Sequence, residues 1–300
     1  MTNIQIVSIC FISAQQHMSL FSKIRLTLPE NRSKMNLLYI HWHPSPEIFS
    51  IGAFGPRWYG VLFAVAFVVG YYLMRHIFKR EGVKYDYIDN LLLYFFIGTI
   101  VGARLGHCLF YEPEIYLRNP IQILKIWEGG LASHGAGIGL FIALGLFVHK
   151  YKVDTLWLFD RLAIMIALSG FFIRMGNLMN SEIVGCPTTL PWGFIFENNG
   201  ETFARHPSQL YEALGYLTIG LTLLWMYFKT DATKRKGLIF GLAMALIFAF
   251  RFVIEFTKET QVDFEKSMTL DMGQWLSLPF VALGLTFIVL SIIRNKNATV

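Results

Sequence analysis

Seven stretches of this chain are apolar over about 20 residues each, the length an α-helix needs to cross the hydrocarbon of a bilayer. They run from Trp58 to Phe78, Leu91 to Phe110, Leu131 to Val148, Leu156 to Asn177, Leu210 to Phe228, Leu238 to Phe256 and Trp275 to Ile293. Lipid offers nothing to hydrogen-bond an open backbone, so stretches of this kind must satisfy their own amides as helices. Of 300 residues, 54% are hydrophobic and 15% charged. The mean hydropathy of +0.48 is too high for a soluble domain of this length. The expected fold is an all-α integral membrane protein, a bundle of about seven transmembrane helices around a polar intramembrane cavity.

A formal net charge of +6 could suggest nucleic acid. Most of the basic residues, however, fall in short loops between apolar stretches, where the positive-inside bias accounts for them and nucleic acid is set aside. Arg75, Lys79, Arg80 and Lys84 follow the first stretch, Lys150 and Lys152 the third, Lys229, Lys234, Arg235 and Lys236 the fifth, and Arg294 and Lys296 the seventh. The opposite loops carry fewer: Arg118 and Lys125, then Arg205, then Lys258 and Lys266. The odd-numbered ends are expected on the cytoplasmic side, with the start of the membrane domain outside.

Residues 1–34 do not fit this scheme. Their apolar run IQIVSICFISA is too short to span and lacks the basic start of a signal peptide, which favours a mis-assigned start or a dispensable arm over a cleaved leader. Residues 35–300 read as a single transmembrane domain, with a long outer loop over about residues 180–207 as its cap. Cys10, Cys108 and Cys186 have no paired spacing, so neither a disulfide nor a metal site follows, and no cofactor is called for.

Two arginines carry the functional signal, Arg174 in FFIRMGNLMNSE and Arg251 in FAFRFVIEF. An arginine at membrane depth costs about 2.5 to 3.5 kcal/mol on insertion scales and needs an anion or a water-filled cavity. One reading pairs each with a carboxylate inside the bundle. The other points both at lipid phosphate, which a guanidinium fork binds bidentately. Asn177 and Asn180 recur at three-residue spacing after Arg174, with Ser181 and Glu182 at the exit of the helix. Arg251, Glu255 and Lys258 recur at i, i+4 and i+7, so Glu255 can pair with either neighbour and steady Arg251.

Other polar positions are ordered too. Gly98, Gly102 and Gly106 form a small-residue stripe that lets helices approach closely. Arg104, His107 and Tyr111 share one face, which must look into the bundle or out at the headgroup level. His134 stands among small residues in EGGLASHGAGIG; it reads either as a structural hydrogen-bonder or as a proton acceptor, given a free pKa of about 6.5. In RHPSQLYE, Pro207 suits a first helical turn, after which Gln209, Tyr211 and Glu212 place three hydrogen-bonding side chains near the interface.

The segments RMGNLMNSE, RHPSQLYE, FRFVIEF and GQWLSLP occur in this order, with WYG upstream and SHG between. Over about residues 40–293 the chain resembles bacterial prolipoprotein diacylglyceryl transferases. The resemblance implies a seven-span inner-membrane enzyme that moves the diacylglyceryl group of phosphatidylglycerol to the lipobox cysteine of a preprolipoprotein, releasing glycerol phosphate. It also implies that Arg174 and Arg251 hold the headgroup. Tyr59, Arg104, Asn177 and Glu182 match further family positions, and His134 matches the family histidine, the candidate base. Gln209, Tyr211 and Glu255 complete the expected substrate-binding set. Three positions depart from the common pattern: Gly135-Ala136-Gly137 after His134, Lys258 in place of an arginine, and His107 in place of a tyrosine. A lipid or small-anion transporter is the alternative, but it usually shows repeated halves, and none is evident. A scaffold would not need the polar faces.

Overall fold

A computed structural model describes residues 39–49, 55–84, 86–125, 130, 132–259 and 268–297. The expected extension over residues 1–34 and the start of the third stretch at Leu131 lie outside the described residues. Helix α1 spans Trp58–Arg80, α2 Asp86–Phe110, the short α3 Pro113–Arg118, α4 Ser133–Tyr151, α5 Thr155–Met179, α6 Ser208–Lys229, α7 Leu238–Glu255 and α8 Met272–Asn297. Each expected span is therefore a helix. Five of them, α1, α2, α5, α7 and α8, are long and apolar enough to cross a membrane. Helices α4 and α6 fall short because glycines and polar ends dilute their hydropathy: His134, His149 and Lys150 in α4, and Gln209 and Glu212 in α6.

Helix α2 begins five residues before its apolar run. Asp86 and Asp89 occupy its first turn, where acidic side chains favour the positive end of the helix dipole. Two short strands also appear, β1 (Ile40–Trp42) and β2 (Phe194–Phe196), paired in parallel with Ile40 opposite Phe194. Among the described residues these strands and a few isolated bridges depart from an all-helical reading. Because β1 precedes the first helix and β2 lies between α5 and α6, both connections reach the same end of the bundle.

Helix α5 is central, packing against α1, α6 and α7. Its Leu158, Ile164, Ala163 and Ala167 are buried along with much of the helix, as expected for a segment apolar on all sides. Small residues set the closest approaches. A Cβ on Gly98 would lie 2.5 Å from that of Ala143, and one on Gly102 or Gly106 would lie 2.7 Å from the Cα of Gly139 or Gly135. The glycine stripe thus brings α2 and α4 into backbone contact, the packing role expected of it. Gly241 and Gly284 do the same for α7 and α8.

At the end rich in basic residues, one partly buried and one fully buried carboxylate fasten the helices. Glu81 accepts two hydrogen bonds from Arg161 Nη2, at 2.8 and 2.9 Å, and others from Trp157 and Tyr227. Asp160, fully buried, accepts from the amides of Gly237 and Phe240 at 2.8 Å each, so a side chain of α5 caps the orphan donors at the start of α7.

Adding a methyl group to the α2–α4 contact should be felt. Gly102→Ala is expected to destabilise the protein by roughly 1 to 3 kcal/mol through overpacking. Gly145→Ala on α4, where a Cβ would meet nothing within 4 Å, should leave the melting temperature of the purified protein unchanged. Equal melting of the two variants would contradict the close approach.

Candidate functional site

The end of the bundle opposite the basic loops carries the polar cluster. Helix α5 delivers Arg174 in its last turns, α6 delivers Glu212 in its first turns, and Glu255 and Lys258 stand at and beyond the end of α7. Glu212 is fully buried. Its Oε2 is 2.7 Å from Arg174 Nε, an ion pair whose N–H is not aligned as a hydrogen bond, and its Oε1 is 3.0 Å from Lys258 Nζ. Lys258 in turn lies 3.0 Å from Glu255 Oε2. Four charges of alternating sign thereby run across three helices.

Arg174 Nη1 donates to Asn177 Oδ1 at 3.2 Å, and Asn177 Nδ2 donates to Glu182 Oε2 at 3.3 Å. The exposed Glu182 also accepts from Asn180 Nδ2 at 3.1 Å. Ser181 and Ile183 flank it with positive φ angles of 55° and 56°. For β-branched Ile183 that conformation is strained, and such strain collects at functional segments. Gln209, fully buried on α6, clamps the loop by donating Nε2 to the carbonyl of Glu182.

Arg251 joins this group by its field rather than by a bond: the phenol of Tyr216 lies within electrostatic reach of Glu212, Arg174 and Arg251. Among the described residues, the buried Nε of Arg251 has no hydrogen-bond partner. Of the two neighbours open to Glu255, the structure pairs it with Lys258 and not with Arg251. Helix α7 stops at Glu255, and the Lys258 amide folds back to the Glu255 carbonyl at 3.0 Å, which swings Lys258 onto the carboxylate instead. Tyr59 packs against α5 at Gly176, where a Cβ would be 2.8 Å from its ring.

Three expected residues stand apart from this cluster. Arg104 is buried, and its guanidinium donates to the carbonyls of Ile123 at 3.0 Å, Gln122 at 2.7 Å and Gly130 at 3.3 Å, with its face over Tyr116. The arm between α2 and α4 leaves carbonyls that helices do not satisfy, and a five-donor fork suits them. The polar face of α2 therefore closes on that arm. His134 is exposed at the start of α4 and, with Tyr111 and Ile138, lines a crevice of about 360 Å³. A second crevice of about 530 Å³, lined by Leu105, Leu109 and Ile142 among other apolar residues, runs along the same helix pair. Tyr211 belongs to the cap, where its hydroxyl accepts from Trp192 Nε1 at 2.9 Å and lies 3.3 Å from His206 Nδ1.

The loop over residues 180–207 is folded, not extended. Phe194 and Phe196 pack with Leu178 and Trp42, and Trp42 Nε1 donates to the Leu178 carbonyl at 2.9 Å. Arg205 holds Glu201 at 2.7 Å and Glu259 at 2.8 Å. Cys186 donates its thiol to the Lys258 carbonyl at 2.8 Å, and burial raises its pKa, so it stays protonated.

Glu212 was singled out in sequence only as an interfacial hydrogen-bonder, whereas the structure makes it the centre of the cluster. The available signal was its spacing: an acid four residues before Tyr216 on an otherwise apolar helix.

A family model described as prolipoprotein diacylglyceryl transferase matches residues 46–290. A relative from Tolumonas auensis is 51% identical over 253 residues, covering 84% of this chain and 97% of its own length. One from Chloroherpeton thalassium is 44% identical over 255 residues, covering 85% and 95%. One from Dechloromonas aromatica is 36% identical over 266 residues, covering 87% and 100%. All three relatives carry the name phosphatidylglycerol-prolipoprotein diacylglyceryl transferase.

The cap should respond to acid. Burial lowers the His206 pKa, so the ring is neutral at pH 7 and Nδ1 can accept from Tyr211. A depressed folded pKa gives stability that is complete above the unfolded value of about 6.5 and is lost as the pH falls through the lower folded value. The melting temperature should therefore drop on acidification below about pH 6.5. His206→Gln should flatten that slope; an unchanged slope would unlink the ring from cap stability.

Proposed function

The chain belongs to the prolipoprotein diacylglyceryl transferase family, and on that premise we propose that it transfers the diacylglyceryl group of phosphatidylglycerol to the lipobox cysteine of preprolipoproteins. The observation that carries this reading is the guanidinium of Arg251, whose buried Nε has no hydrogen-bond partner among the described residues, within electrostatic reach of the same phenol as an Arg174 whose Nε is already anchored. Two forks held at one end of a membrane bundle suit a phosphodiester between them. A transporter is not favoured, since the relatives are named for transfer.

In this reaction the cysteine sulfur attacks the glycerol carbon that carries the phosphate ester. The carbon–oxygen bond breaks as the thioether forms, and glycerol phosphate leaves with the bonding electrons. Arg174 and Arg251 stabilise the charge growing on that phosphate. His134, exposed and with no hydrogen bond among the described residues, takes the thiol proton. Tyr59 and Asn177 position the lipid, Glu182 and Gln209 shape the rim, Glu255 acts through Lys258, and Arg104 and Tyr211 hold the arm and cap against the substrates. No cofactor enters the scheme.

All seven long helices are assigned as spans of the bacterial inner membrane, surrounding a polar cavity. The basic end, with Arg80, Lys152 and Lys236, is assigned to the cytoplasm, and β1 and the cap to the outside. Residues 35–300 form the catalytic domain in this assignment, preceded by a dispensable extension.

The test is purified protein incubated with phosphatidylglycerol and a lipobox peptide, with the peptide mass measured afterwards. Arg174→Ala and Arg251→Ala should each abolish most transfer, because a charge-assisted contact to phosphate is worth roughly 1.5 to 3 kcal/mol before transition-state effects. Arg174→Lys should rescue poorly; transfer at the normal rate would rule out bidentate recognition there. His134→Gln should be slow at neutral pH and recover partly as the pH nears the thiol's own value of about 8.5. An unchanged pH profile would leave the arginines as the activating groups.

A further inference from the structure

Lys258 is almost fully buried, yet it lies in no expected site and turns its ammonium into the cluster. Its ammonium bridges Glu212 Oε1 and Glu255 Oε2, each at 3.0 Å. Gly273 opens α8 against Glu255 with no room for a Cβ, so that carboxylate is held from a fourth helix as well.

The geometry at Glu212 shows what Lys258 does. A buried carboxylate takes whatever donors it can reach, and an arginine fork offers it two parallel N–H groups. Here Oε1 is already held by Lys258, and Glu212 meets Arg174 only at Nε, on the inner edge of the guanidinium. The outer edge remains braced by Asn177 at Nη1. Without Lys258, Glu212 would have Arg174 as its only ion-pair partner among the described residues, and the pair would close into a bidentate bridge that uses up the fork.

We propose that Lys258 is a positioning residue that restrains Glu212, so that Arg174 keeps for the lipid phosphate the terminal N–H groups that Asn177 does not take. This rests on the transfer reaction proposed above. A purely structural brace would lower stability and turnover together. A restraint on Glu212 instead predicts a loss in lipid binding that is relieved when the Glu212 charge is removed.

The experiment measures kcat and KM for phosphatidylglycerol, at saturating lipobox peptide, in the full-length protein and its variants, with melting temperatures alongside. Lys258→Met should raise KM at least about tenfold, as expected when one partner of a buried charge pair is lost, and by more than kcat falls. Lys258→Arg should stay near wild type. The double variant Lys258→Met with Glu212→Gln should bind lipid better than Lys258→Met alone, because the carboxylate that captures Arg174 is gone. A double variant no better than the single one, or a fall in kcat with KM unchanged, overturns the proposal.

Should Lys258→Met give no cooperative melting, Lys258→Gln replaces it with the same expectations. A wild-type protein that transfers nothing to the peptide defeats the proposed function itself; the Lys258 proposal fails separately, when wild type transfers and the variants leave KM unmoved.

Discussion

A carboxylate with no access to solvent must be neutralised where it stands, and Glu212 imposes that requirement on the whole end of the bundle opposite the basic loops. Its two cations come from different elements, Arg174 on α5 and Lys258 beyond α7, so satisfying one side chain fixes three helices relative to each other. Breaking such a pair typically costs about 3 to 5 kcal/mol, because the remaining charge is stranded. The opposite end repeats the principle with different donors, Glu81 gripping Arg161, Trp157 and Tyr227, and Asp160 capping α7. Lipid supplies little drive for helices to associate, so the contacts between these ends fall to small residues. The glycines of α2 and α4, and Gly241 with Gly284, provide them.

The long helices were legible in the sequence because bilayer thickness sets the length to look for and apolar side chains mark it. The start of α2 was not, since Asp86 and Asp89 interrupt hydropathy while favouring the helix. Strands of three residues carry too little alternation to be read, and the pairing of β1 with β2 joins residues about 150 apart. Arg174, Asn177 and Glu182 were legible as one polar edge because polar residues at helical spacing in apolar surroundings demand partners; Gln209, read apart with Tyr211 and Glu212, meets that edge only through the Glu182 carbonyl. The choice between Arg251 and Lys258 as partner of Glu255 was not legible. Helical spacing allows both, and the decision rests on where α7 ends, which sequence places only to within a few residues.

Helices α2 and α4 meet the main core at one end only. Their core residues are Ile88, Leu91, Leu144 and Phe147, all in the halves near the basic loops. Toward the other end the pair rests on its own glycine contacts and on Arg104 fastening the arm, with the crevice at His134 alongside. The arginines are thus carried by the most heavily anchored helices, and the histidine by the least anchored pair. Local opening free energies follow that distribution of contacts.

The loop after α5 shows how such anchoring is used. Ser181 and Ile183 sit in a left-handed conformation that a β-branched residue adopts only under constraint. Constraint is abundant there: the Glu182 amide donates to the Asn177 carbonyl at 3.0 Å, Gln209 holds the Glu182 carbonyl, and Asn199 donates to the Ser181 carbonyl at 3.0 Å. Three partners from three segments over-determine two residues, which is the condition under which strained backbone persists. What the strain achieves is geometric. The chain leaves α5 abruptly, and Glu182 turns back over the helix it has just left, so that its carboxylate meets Asn177 while Asn177 still holds Arg174. A relaxed exit would carry Glu182 away from the helix end and leave that guanidinium braced from one side only.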